Sequence, residues 1–530
     1  MKGVAKTLSQ LRTLGLVSVI VVDCGPESNP SRSHEQACRL LYFLHEFDNI
    51  SAVVLENVMA KQESDMPGLV FPSTGRGIYV SETDSLFQTL KEDKIPIITE
   101  YSATLSSGWK AEKIPAEGIV VGLVRFFSGM QSSSPQDEEA EWEDGGTRPL
   151  AAVETVVVLD PAGGIPVASN ISVPHRFVNL EAEYEPIVEN LSRELADLQR
   201  KSENQPEKAT RTILDQAKAV TATHLRNLEM VRDALSLLPS AASALITTPS
   251  VAANTARASD KASLNVSSSA RIRNLVHMPV GTRPTQNPLI HNLLTGKPVY
   301  SSSLPLEKVS RRDSLGRQSA KTEIATLVKR GMPVTIFPSP DLGPWHPPKP
   351  GEPRLRLTDT CLDLARLIYL IEDSFNRKLD VRDYLNRIHD NLAGVIIAGN
   401  YEGGAILTWE RPFALSEEEA YRNGRLVPYL DKFAVLKSRQ GSGGVADIVF
   451  NAMVQDCFPA GVCWRSRRNN PVNKWYFERS VGGTVKLQDT QWTMFWTTAG
   501  LEVEDQALKD YESVCREIQP SWADKKHIAD

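Results

Sequence analysis

The chain has 530 residues, 41% hydrophobic and 23% charged, with a formal net charge of -6 and a calculated isoelectric point near 6.0. This length predicts two or more domains, and the composition is typical of a soluble globular protein. The acidic balance excludes nucleic-acid binding through bulk positive charge, and no apolar run reaches the roughly 18 residues of a membrane-spanning helix.

The N-terminal segment permits two interpretations. Residues 1–22 are basic, lack acidic side chains and contain an apolar run at Leu14–Val22, as a targeting segment does. The alternative is a short helix at Val4–Leu14 leading into a buried strand at Val17–Val22. We favour the helix and strand, because no small-residue cleavage site follows. If the protein works in an organelle, we expect its transit peptide to lie outside this sequence.

From Val17 to about Ile336, strand-like runs alternate with helical patterns, as βα units do. This alternation predicts an α/β domain with a parallel sheet over residues 1–337. Two long helices are predicted at Leu180–Leu198 and Lys208–Leu238, and a polar, acidic insertion at Ser132–Gly146. The strand-like runs are SVIVV, AVVLEN, GIYV, IPIITEY, GIVVGLVRFF and VETVVVLD, with helices around residues 35–46 and 84–92.

A proline-rich stretch at residues 338–353 follows, PSPDLGPWHPPKPGEP, which predicts a stiff, extended linker between two domains. The second domain is predicted over residues 354–515. Its predicted elements are helices at Asp359–Phe375, Val381–Ile388, Val445–Gln455 and Pro471–Arg479, and strands at Leu392–Ala398, Ala405–Glu410, Tyr429–Leu436, Val462–Ser466 and up to Trp496.

A basic, glycine-rich turn joins the Tyr429–Leu436 strand to the helix that begins at Val445. Backbone N–H groups of such a turn and of a helix N-terminus together suit a phosphate or pyrophosphate. The turn is not a P-loop, because no Lys-Ser or Lys-Thr follows its last glycine, and it fits a dinucleotide-binding turn poorly.

Two basic residues on neighbouring predicted strands suggest an acidic ligand. Along a regular strand, Lys432 shares a face with Leu430 and Ala434, and Arg465 shares one with Arg467. A lysine and an arginine on neighbouring strands form a cationic site suited to a dicarboxylate. The alternative is a surface ion pair between Lys432 and a nearby acid such as Asp431, which contributes little.

Several motifs, in one order, resemble those of a known family. The turn Gln440-Gly441-Ser442-Gly443-Gly444 resembles the pyrophosphate loop of the GCN5-related N-acetyltransferases, which bind acetyl-coenzyme A. The surrounding sequence resembles the acetyltransferase domain of the N-acetylglutamate synthases of fungi and animals. The motifs that carry this second resemblance are Tyr429-Leu430-Asp431-Lys432-Phe433, Trp464-Arg465-Ser466-Arg467, Asn470-Pro471-Val472-Asn473 and Trp475-Tyr476-Phe477.

The resemblance implies an α/β fold in two parts, an amino-acid-kinase-like parallel sheet domain followed by a GCN5-related N-acetyltransferase domain. In that second domain, the strands at Tyr429 and Val462 splay apart and the pantetheine arm lies between them. Active kinases of the first fold carry a phosphate-binding lysine and a glycine pair. Here the first strand ends Val22-Asp23-Cys24-Gly25-Pro26, without a lysine, so we expect this domain to be catalytically silent and to serve regulation and assembly.

The resemblance also assigns site residues. The substrate-binding residues for glutamate or acetylglutamate are Lys378, Lys432, Arg465 and Asn470, and two extra residues separate Lys378 from the following Asp-Tyr-Leu motif. Asn470 and Tyr476 are the catalytic candidates. The coenzyme-binding residues are Phe433 and Val435 for the pantetheine, and Arg439, Gln440, Gly441, Ser442, Gly443, Gly444 and Val445 for the pyrophosphate.

The expected reaction is direct transfer of the acetyl group to the glutamate amine. Tyr476 is the candidate that protonates the leaving thiolate, with packing in an aromatic cluster as its alternative role. The general base stays open between water and Asp431, and we interpret His389 as structural. The six cysteines form no CxxC pair, which favours reduced thiols and no metal site, and Cys457 and Cys463 are expected to be buried rather than nucleophilic.

Three function classes follow from these observations. The first is synthesis of N-acetyl-L-glutamate from acetyl-CoA, the first step of arginine biosynthesis, in the mitochondrial matrix. The second is acetylation of another amine, and the third is a non-catalytic, arginine-responsive regulatory subunit. The resemblance further implies L-glutamate as substrate, a homo-oligomer, an arginine effector and a complex with acetylglutamate kinase, but the residues place no arginine pocket.

Overall fold

A computed structural model describes residues 115–128, 153–248, 292, 298, 301–304 and 325–524, with gaps of one or two residues, and the backbone of short strands between residues 18 and 113. Two compact units divide the chain, Met1–Val299 with Lys321–Gly331, and Tyr300–Ala320 with Met332–Asp530. The predicted helices at Val4–Leu14, 35–46 and 84–92 and the insertion at Ser132–Gly146 lie outside the described residues.

The first unit is built on a seven-stranded sheet. The strands of the unit are β1 (Ser18–Asp23), β2 (Val53–Glu56), β3 (Ser73–Thr74), β4 (Gly77–Ile78), β5 (Ile97–Thr99), β6 (Tyr101–Ala103), β7 (Ala111–Lys113), β8 (Thr155–Leu159), β9 (Pro166–Val167), β10 (Asn170–Pro174), β11 (Phe177–Asn179), β12 (Ser243–Thr247) and β13 (Thr326–Lys329). Three two-stranded sheets, β3-β4, β6-β7 and β9-β10, accompany the larger sheet. The strand order in the seven-stranded sheet is β11-β13-β12-β8-β1-β2-β5. All neighbours pair in parallel except β12 and β13, so the predicted parallel sheet is confirmed with one antiparallel pair.

Three helices of the first unit are α1 (Ala116–Phe127), α2 (Leu180–Glu203) and α3 (Lys208–Ser236). The two long helices were predicted, but the prediction of a strand at GIVVGLVRFF is wrong. Ala116, Ile119, Val120, Leu123 and Val124 are buried at helical spacing, so one face packs into the core. The valine-rich composition concealed this period. No helix in the described ranges is long and apolar enough to cross a membrane.

The second unit contains another seven-stranded sheet, with the order β14-β15-β16-β17-β18-β20-β19. Its strands are β14 (Val334–Phe337), β15 (Leu392–Ala398), β16 (Gly403–Glu410), β17 (Val427–Val435), β18 (Cys463–Arg467), β19 (Gly483–Lys486) and β20 (Trp492–Trp496). Its helices are α4 (Leu364–Phe375), α5 (Val381–Ile388), α6 (Glu417–Arg422), α7 (Val445–Asn451), α8 (Asn473–Arg479) and α9 (Gln506–Glu517), and α7 continues as a wider π-type turn over Ala452–Cys457.

Successive residues of these strands point alternately to the two faces of the sheet, and each face is covered by apolar side chains. Leu407 and Leu430 pack with α7 and α8 on one face. Ile406 packs with α4 and α5 on the other face, where Tyr429 and Cys463 pack with α9. The face that carries α4, α5 and α9 is called the acceptor face below, because it holds the predicted substrate-binding residues Lys432 and Arg465.

The second unit includes residues that the sequence prediction assigned to the first domain and to the linker. Strand β14 pairs antiparallel with β15, from Val334 opposite Ala398 to Phe337 opposite Val395. In the predicted linker, the backbone N–H of Trp345 donates to the Cys457 carbonyl at 2.9 Å, and its ring meets Phe458 edge-on at 5.4 Å. The boundary at residue 337 and the extended spacer are therefore corrected. Proline content indicated extended backbone, but the partner of Trp345 lies more than a hundred positions later.

Candidate active site

Strands β17 and β18 lie side by side in the sheet but pair at one place only within the described residues, where Tyr429 lies opposite Cys463 in parallel. Beyond that pair, β17 continues to Val435 and β18 to Arg467 without further pairing between them. We call the space between these two strand ends the β17–β18 gap. Open backbone edges in the middle of a sheet can take up an extended ligand as an added strand.

Strand β17 contains one extra residue at the entrance of the gap. Leu430 pairs with Leu407 and Lys432 pairs with Ile406, which leaves Asp431 as a bulge. Lys432 therefore lies on the acceptor face with Ala434, opposite to Leu430. The predicted face sharing of Lys432 is right for Ala434 and wrong for Leu430, because the strand was treated as regular.

Lys432 is buried, and its ammonium Nζ lies 2.8 Å from the Asp431 carboxylate oxygen Oδ2. The same Nζ lies 4.8 Å from the centre of the Tyr384 ring and 5.7 Å from that of Trp522. Burial lowers the pKa of Lys432, and Asp431 opposes that shift by stabilising the charged form. The predicted alternative of an ion pair with Asp431 is observed, but the pair is buried rather than at the surface.

Arg465 extends from β18 towards the C-terminal end of α9. Its guanidinium donates to the carbonyl oxygens of Cys515, at 2.5 Å, and Ile518, and lies 4.2 Å from the centre of the Trp492 ring. Its positive charge contributes to the lowered pKa of Lys432, so the two cations are close enough to interact. Two cations without an equal number of acids favour an anionic ligand.

Lys378 does not lie with Lys432 and Arg465. Its side chain is 81% exposed, and its ammonium group pairs with Glu372 at the surface of α4. The neighbouring backbone does approach the acceptor face, because Leu379 forms a bridge with Trp522. The role of Lys378 in substrate binding therefore stays a prediction that needs its side chain to leave Glu372.

Backbone groups of β17 face the side on which β18 lies. The N–H of Val435 donates to Ser374 Oγ at 3.2 Å, and its carbonyl accepts from Gln440 Nε2 at 3.1 Å, so both point away from β16. Because backbone groups alternate in direction along an antiparallel strand, those of Phe433 point the same way. This geometry suits the predicted pantetheine contact.

The glycine-rich turn begins with a short 3₁₀ segment, Lys437–Arg439, and ends at Gly444, directly before α7. Gly441 and Gly444 have φ angles of 78° and 72°, a backbone conformation that residues other than glycine rarely adopt. A Cβ atom at either glycine would meet no atom within 4 Å, so the surface above the turn is open. Arg439 pairs with Glu402 at 3.0 Å, and Ser442 and Gly443 lie outside the described residues.

A second loop, between β18 and α8, carries Asn470. Its Nδ2 donates to Ser466 Oγ at 2.8 Å, and its Oδ1 accepts from the Val472 N–H at 3.0 Å. These bonds close the loop that follows β18, where Asn470 lies three residues beyond Arg467. Asn470 therefore orders the chain that leads into α8.

Tyr476 lies on α8 inside an aromatic cluster. Its ring centre is 5.4 Å from that of Trp464, 5.5 Å from that of Trp475 and 5.4 Å from that of Phe495. Burial raises the pKa of Tyr476, so its phenol stays protonated at neutral pH. Trp475 in turn lies 5.6 Å from Phe433 and connects α8 to β17. Both predicted roles, packing and proton donation, are compatible with this position.

Asp431 is a weak candidate for the general base. The Asp431 side chain is 2% exposed, and Arg387 and Lys432 hold the pKa of its carboxyl well below its usual range, so Asp431 is a poor proton acceptor. His389 is half exposed at the end of α5 and lies 3.9 Å from Asp390.

Burial raises the pKa of the Cys457 and Cys463 thiols, which disfavours nucleophilic thiolates. Within the described part of the chain, no cluster of His, Cys, Asp or Glu could hold a metal ion.

Sequence reasoning missed two groups of residues around the site. The first is Tyr384 and Arg387 on α5, which contact Asp431. The second joins residues far apart in sequence: Arg479 of α8 donates to Ser303 Oγ and Asp447 Oδ1, at 2.5 and 2.8 Å, and lies over the Trp475 ring at 3.8 Å. The i, i+3 spacing of Tyr384 and Arg387 was the only local signal for either group.

Residues 354–519 match the family model described as "NAT, N-acetyltransferase, of N-acetylglutamate synthase". The chain is 46% identical to the mitochondrial amino-acid acetyltransferase of Neurospora crassa, over 100% of this chain and 73% of the relative. It is 45% identical to that of Podospora anserina, over 99% of this chain and 75% of the relative. A crystal structure of N-acetylglutamate synthase from Neisseria gonorrhoeae, complexed with coenzyme A and L-arginine, aligns with a TM-score of 0.29 and 10% identity, covering 94% of this chain and 98% of that one.

Proposed function

Because the chain belongs to the amino-acid acetyltransferase family, the N-acetylglutamate synthases, we propose the following roles for its active-site residues. The protein is an acetyl-CoA:L-glutamate N-acetyltransferase, in which an amino-acid-kinase-like unit precedes a GCN5-related acetyltransferase unit. Acetyl-coenzyme A is its cosubstrate. The observation that supports the roles best is the position of Lys432 and Arg465 on one face of the sheet beside the β17–β18 gap.

Lys432 and Arg465 bind the carboxylates of glutamate. An ammonium group has three N–H donors, and Lys432 donates to Asp431 Oδ2 at 2.8 Å and to the Asp431 carbonyl at 3.4 Å, which leaves one donor for a substrate. Arg465 adds a planar guanidinium, whose geometry matches a carboxylate. Asn470 orders the neighbouring loop and supplies an amide, and Lys378 can reach the substrate only after releasing Glu372.

The coenzyme lies along the gap in this proposal. The turn from Arg439 to Val445 binds the pyrophosphate through its backbone N–H groups, in the open space above Gly441 and Gly444. The backbone groups of Phe433 and Val435 hold the pantetheine amides. The Val435 groups first exchange their bonds with Ser374 and Gln440 for bonds to the coenzyme.

The chemistry is a single displacement without a covalent enzyme intermediate. The glutamate ammonium loses a proton to water, and the amine nitrogen then forms a bond to the acetyl carbonyl carbon. The carbon–sulfur bond breaks, the sulfur leaves as a thiolate, and the nitrogen of the new amide loses its second proton to water. Tyr476 donates its phenol proton to that sulfur and regains a proton from solvent. Water is the proposed base because Arg387 and Lys432 keep Asp431 ionised and weakly basic.

Release of coenzyme A thiol by the full chain tests the substrate assignment. Glutamate, aspartate, glutamine, lysine and arginine are offered separately with acetyl-coenzyme A. We expect release with glutamate and far less with lysine or arginine, because Lys432 and Arg465 repel a cationic acceptor. Release that depends on a different amine would contradict the glutamate site, and coenzyme binding without release would favour a regulatory subunit.

For the first unit we propose regulation and assembly rather than phosphoryl transfer. The sequence has no lysine where its first strand ends, in Asp23-Cys24-Gly25-Pro26. We infer an arginine effector, a homo-oligomer and a complex with acetylglutamate kinase, as the family resemblance implies. Inhibition by arginine, light scattering and co-purification of the kinase test these points separately, and each would be contradicted by the absence of its effect.

The relatives are named mitochondrial, and this chain accordingly works in the mitochondrion. We infer the matrix as its compartment. Protease protection of the full-length protein in intact and swollen organelles tests this inference, because a matrix protein stays protected until the inner membrane is opened.

A further inference from the structure

Arg387 of α5 reaches the bulge of β17 from the acceptor face. One of its terminal nitrogens donates to Asp431 Oδ1, and the other lies 3.7 Å from Glu410 Oε1. The opposite oxygen of the same carboxylate, Oδ2, accepts from Lys432 Nζ and from the Tyr384 hydroxyl, both at 2.8 Å. One buried carboxylate is therefore shared between two cations.

This sharing determines how much positive charge Lys432 presents. A buried Asp431–Lys432 pair alone is neutral, and its ammonium would be attracted mainly to its own neighbour. With Arg387 present, Asp431, Lys432 and Arg387 together carry a net charge of +1, and one carboxylate oxygen is already occupied by the guanidinium. Glu410 lies 3.7 Å from Arg387, and burial raises its pKa, which favours its neutral form. The lysine then retains attraction for an external carboxylate.

We propose that Arg387 is a positioning residue for acceptor specificity: by binding Asp431, it leaves the charge of Lys432 available to a carboxylate of the substrate. Arg387 acts through Asp431 and Lys432 and need not contact glutamate. The bulge at Asp431 is part of this arrangement, because it places the acid and the lysine on the same face of β17 as Arg387. The inference rests on the proposed role of Lys432.

A charge-rescue experiment separates this role from a purely structural one. In Arg387→Gln we expect the KM for glutamate to rise about tenfold or more, with the KM for acetyl-coenzyme A unchanged within about twofold. In the double variant Arg387→Gln/Asp431→Asn, the acid that captures Lys432 is also removed. The KM for glutamate should then return towards that of the wild type. Arg387→Lys, which retains the charge, should be intermediate.

Arg354→Gln is the matched control. Arg354 is as buried as Arg387, with 18% against 19% of its side chain exposed, and also pairs with a carboxylate, that of Glu417. It has no contact with Asp431 among the described residues, so its KM for glutamate should stay at the wild-type value. A similar rise in both single arginine variants would reduce Arg387 to a structural residue.

Two further outcomes decide the inference. If Lys432→Met raises the KM for glutamate but Arg387→Gln does not, the positioning role is overturned and the proposed substrate site stands. If Lys432→Met has no effect either, the proposed substrate site itself fails. Should Arg387→Gln not fold, the double variant carries the test, because it removes the buried Asp431 carboxylate together with the guanidinium that binds it. A KM for glutamate more than about tenfold above wild type in the double variant would overturn the proposal.

Discussion

Tyr429 lies opposite Cys463, and this single pair joins β17 to β18 in the part of the chain that the structure describes. Both side chains are buried against α9, which fixes the point from which the two strands diverge. The β17–β18 gap thus opens directly beyond a rigid, apolar contact. Phe433 and Val435 lie on one of its edges, and Arg465 on the other, which brings the proposed coenzyme and substrate contacts together.

The glycine turn should tolerate no side chain at its last position. Gly444→Val forces a β-branched residue into φ near 72°, at a cost of about 1–3 kcal/mol. We expect the KM for acetyl-coenzyme A to rise several-fold and the KM for glutamate to change little. Gly424→Val is the control, because Gly424 has φ 63° and equally open surroundings. An equal change in both variants would exclude a specific role of the turn.

Tyr476→Phe keeps the ring and removes the proton donor. Since general acid catalysis typically contributes about 10²–10⁴-fold, we expect kcat to fall about a hundredfold with both KM values and the melting temperature nearly unchanged. Tyr511→Phe is the control. Tyr511 is also buried, and burial raises its pKa to about 12, but its hydroxyl bonds Thr498 at 2.8 Å. An unchanged kcat in Tyr476→Phe would leave packing as the role of Tyr476.

Glu410 should make stability depend on pH. Burial raises its pKa above the usual 4.5, so the native state holds a proton that the unfolded chain releases. Its contribution is therefore present below about pH 4.5 and is lost as the pH rises through the folded pKa.

The Glu410→Gln variant has no carboxyl group to lose a proton at this position, so the pH-dependent loss of stability is absent. The free energy of unfolding of the variant should improve relative to the wild type between about pH 4.5 and pH 7. Urea unfolding followed by tryptophan fluorescence measures the difference, since most tryptophans lie in the second unit. A difference that stays constant over this interval would show that Glu410 is ionised throughout.

Arg479 should stabilise the second unit strongly. Its side chain is 3% exposed and joins Asp447 of α7 to Ser301 and Ser303. Arg479→Met leaves Asp447 without its cation, which costs about 3 kcal/mol for a buried pair. The exposed pair of Arg366 with Asp363 is the reference, and Arg366→Met should cost less than about 1 kcal/mol. Equal losses in urea unfolding would contradict the assignment.

Local sequence patterns predicted most of the second unit. Val381–Ile388 and Leu392–Ala398 were predicted to the residue, because amphipathic spacing after the N-cap Asp380 marks the helix and a continuous apolar run marks the buried strand. The helix α1 was predicted as a strand, since a run of β-branched residues at helical spacing satisfies both patterns. The helix α9 was not predicted, although it supplies the carbonyl groups that bind Arg465.

The part of the site that depends on long-range pairing was not predictable. The bulge at Asp431 arises from the register of β17 on β16, which no local pattern records. The contact of Arg387 with Asp431 joins residues 44 positions apart. In contrast, local residue patterns already indicated Lys432, Arg465 and the glycine turn, and the family motifs then assigned their roles. Motifs thus identified the residues, and only the fold showed how their charges are arranged.

We propose above all that Lys432 and Arg465 bind the carboxylates of glutamate. The most direct measurement is the KM for glutamate and for acetyl-coenzyme A in Lys432→Met and Arg465→Gln, followed by thiol release from the full chain. We predict that each substitution raises the KM for glutamate at least about tenfold and leaves that for acetyl-coenzyme A within about twofold. An unchanged KM for glutamate, or an equal rise for both substrates, would contradict the assignment.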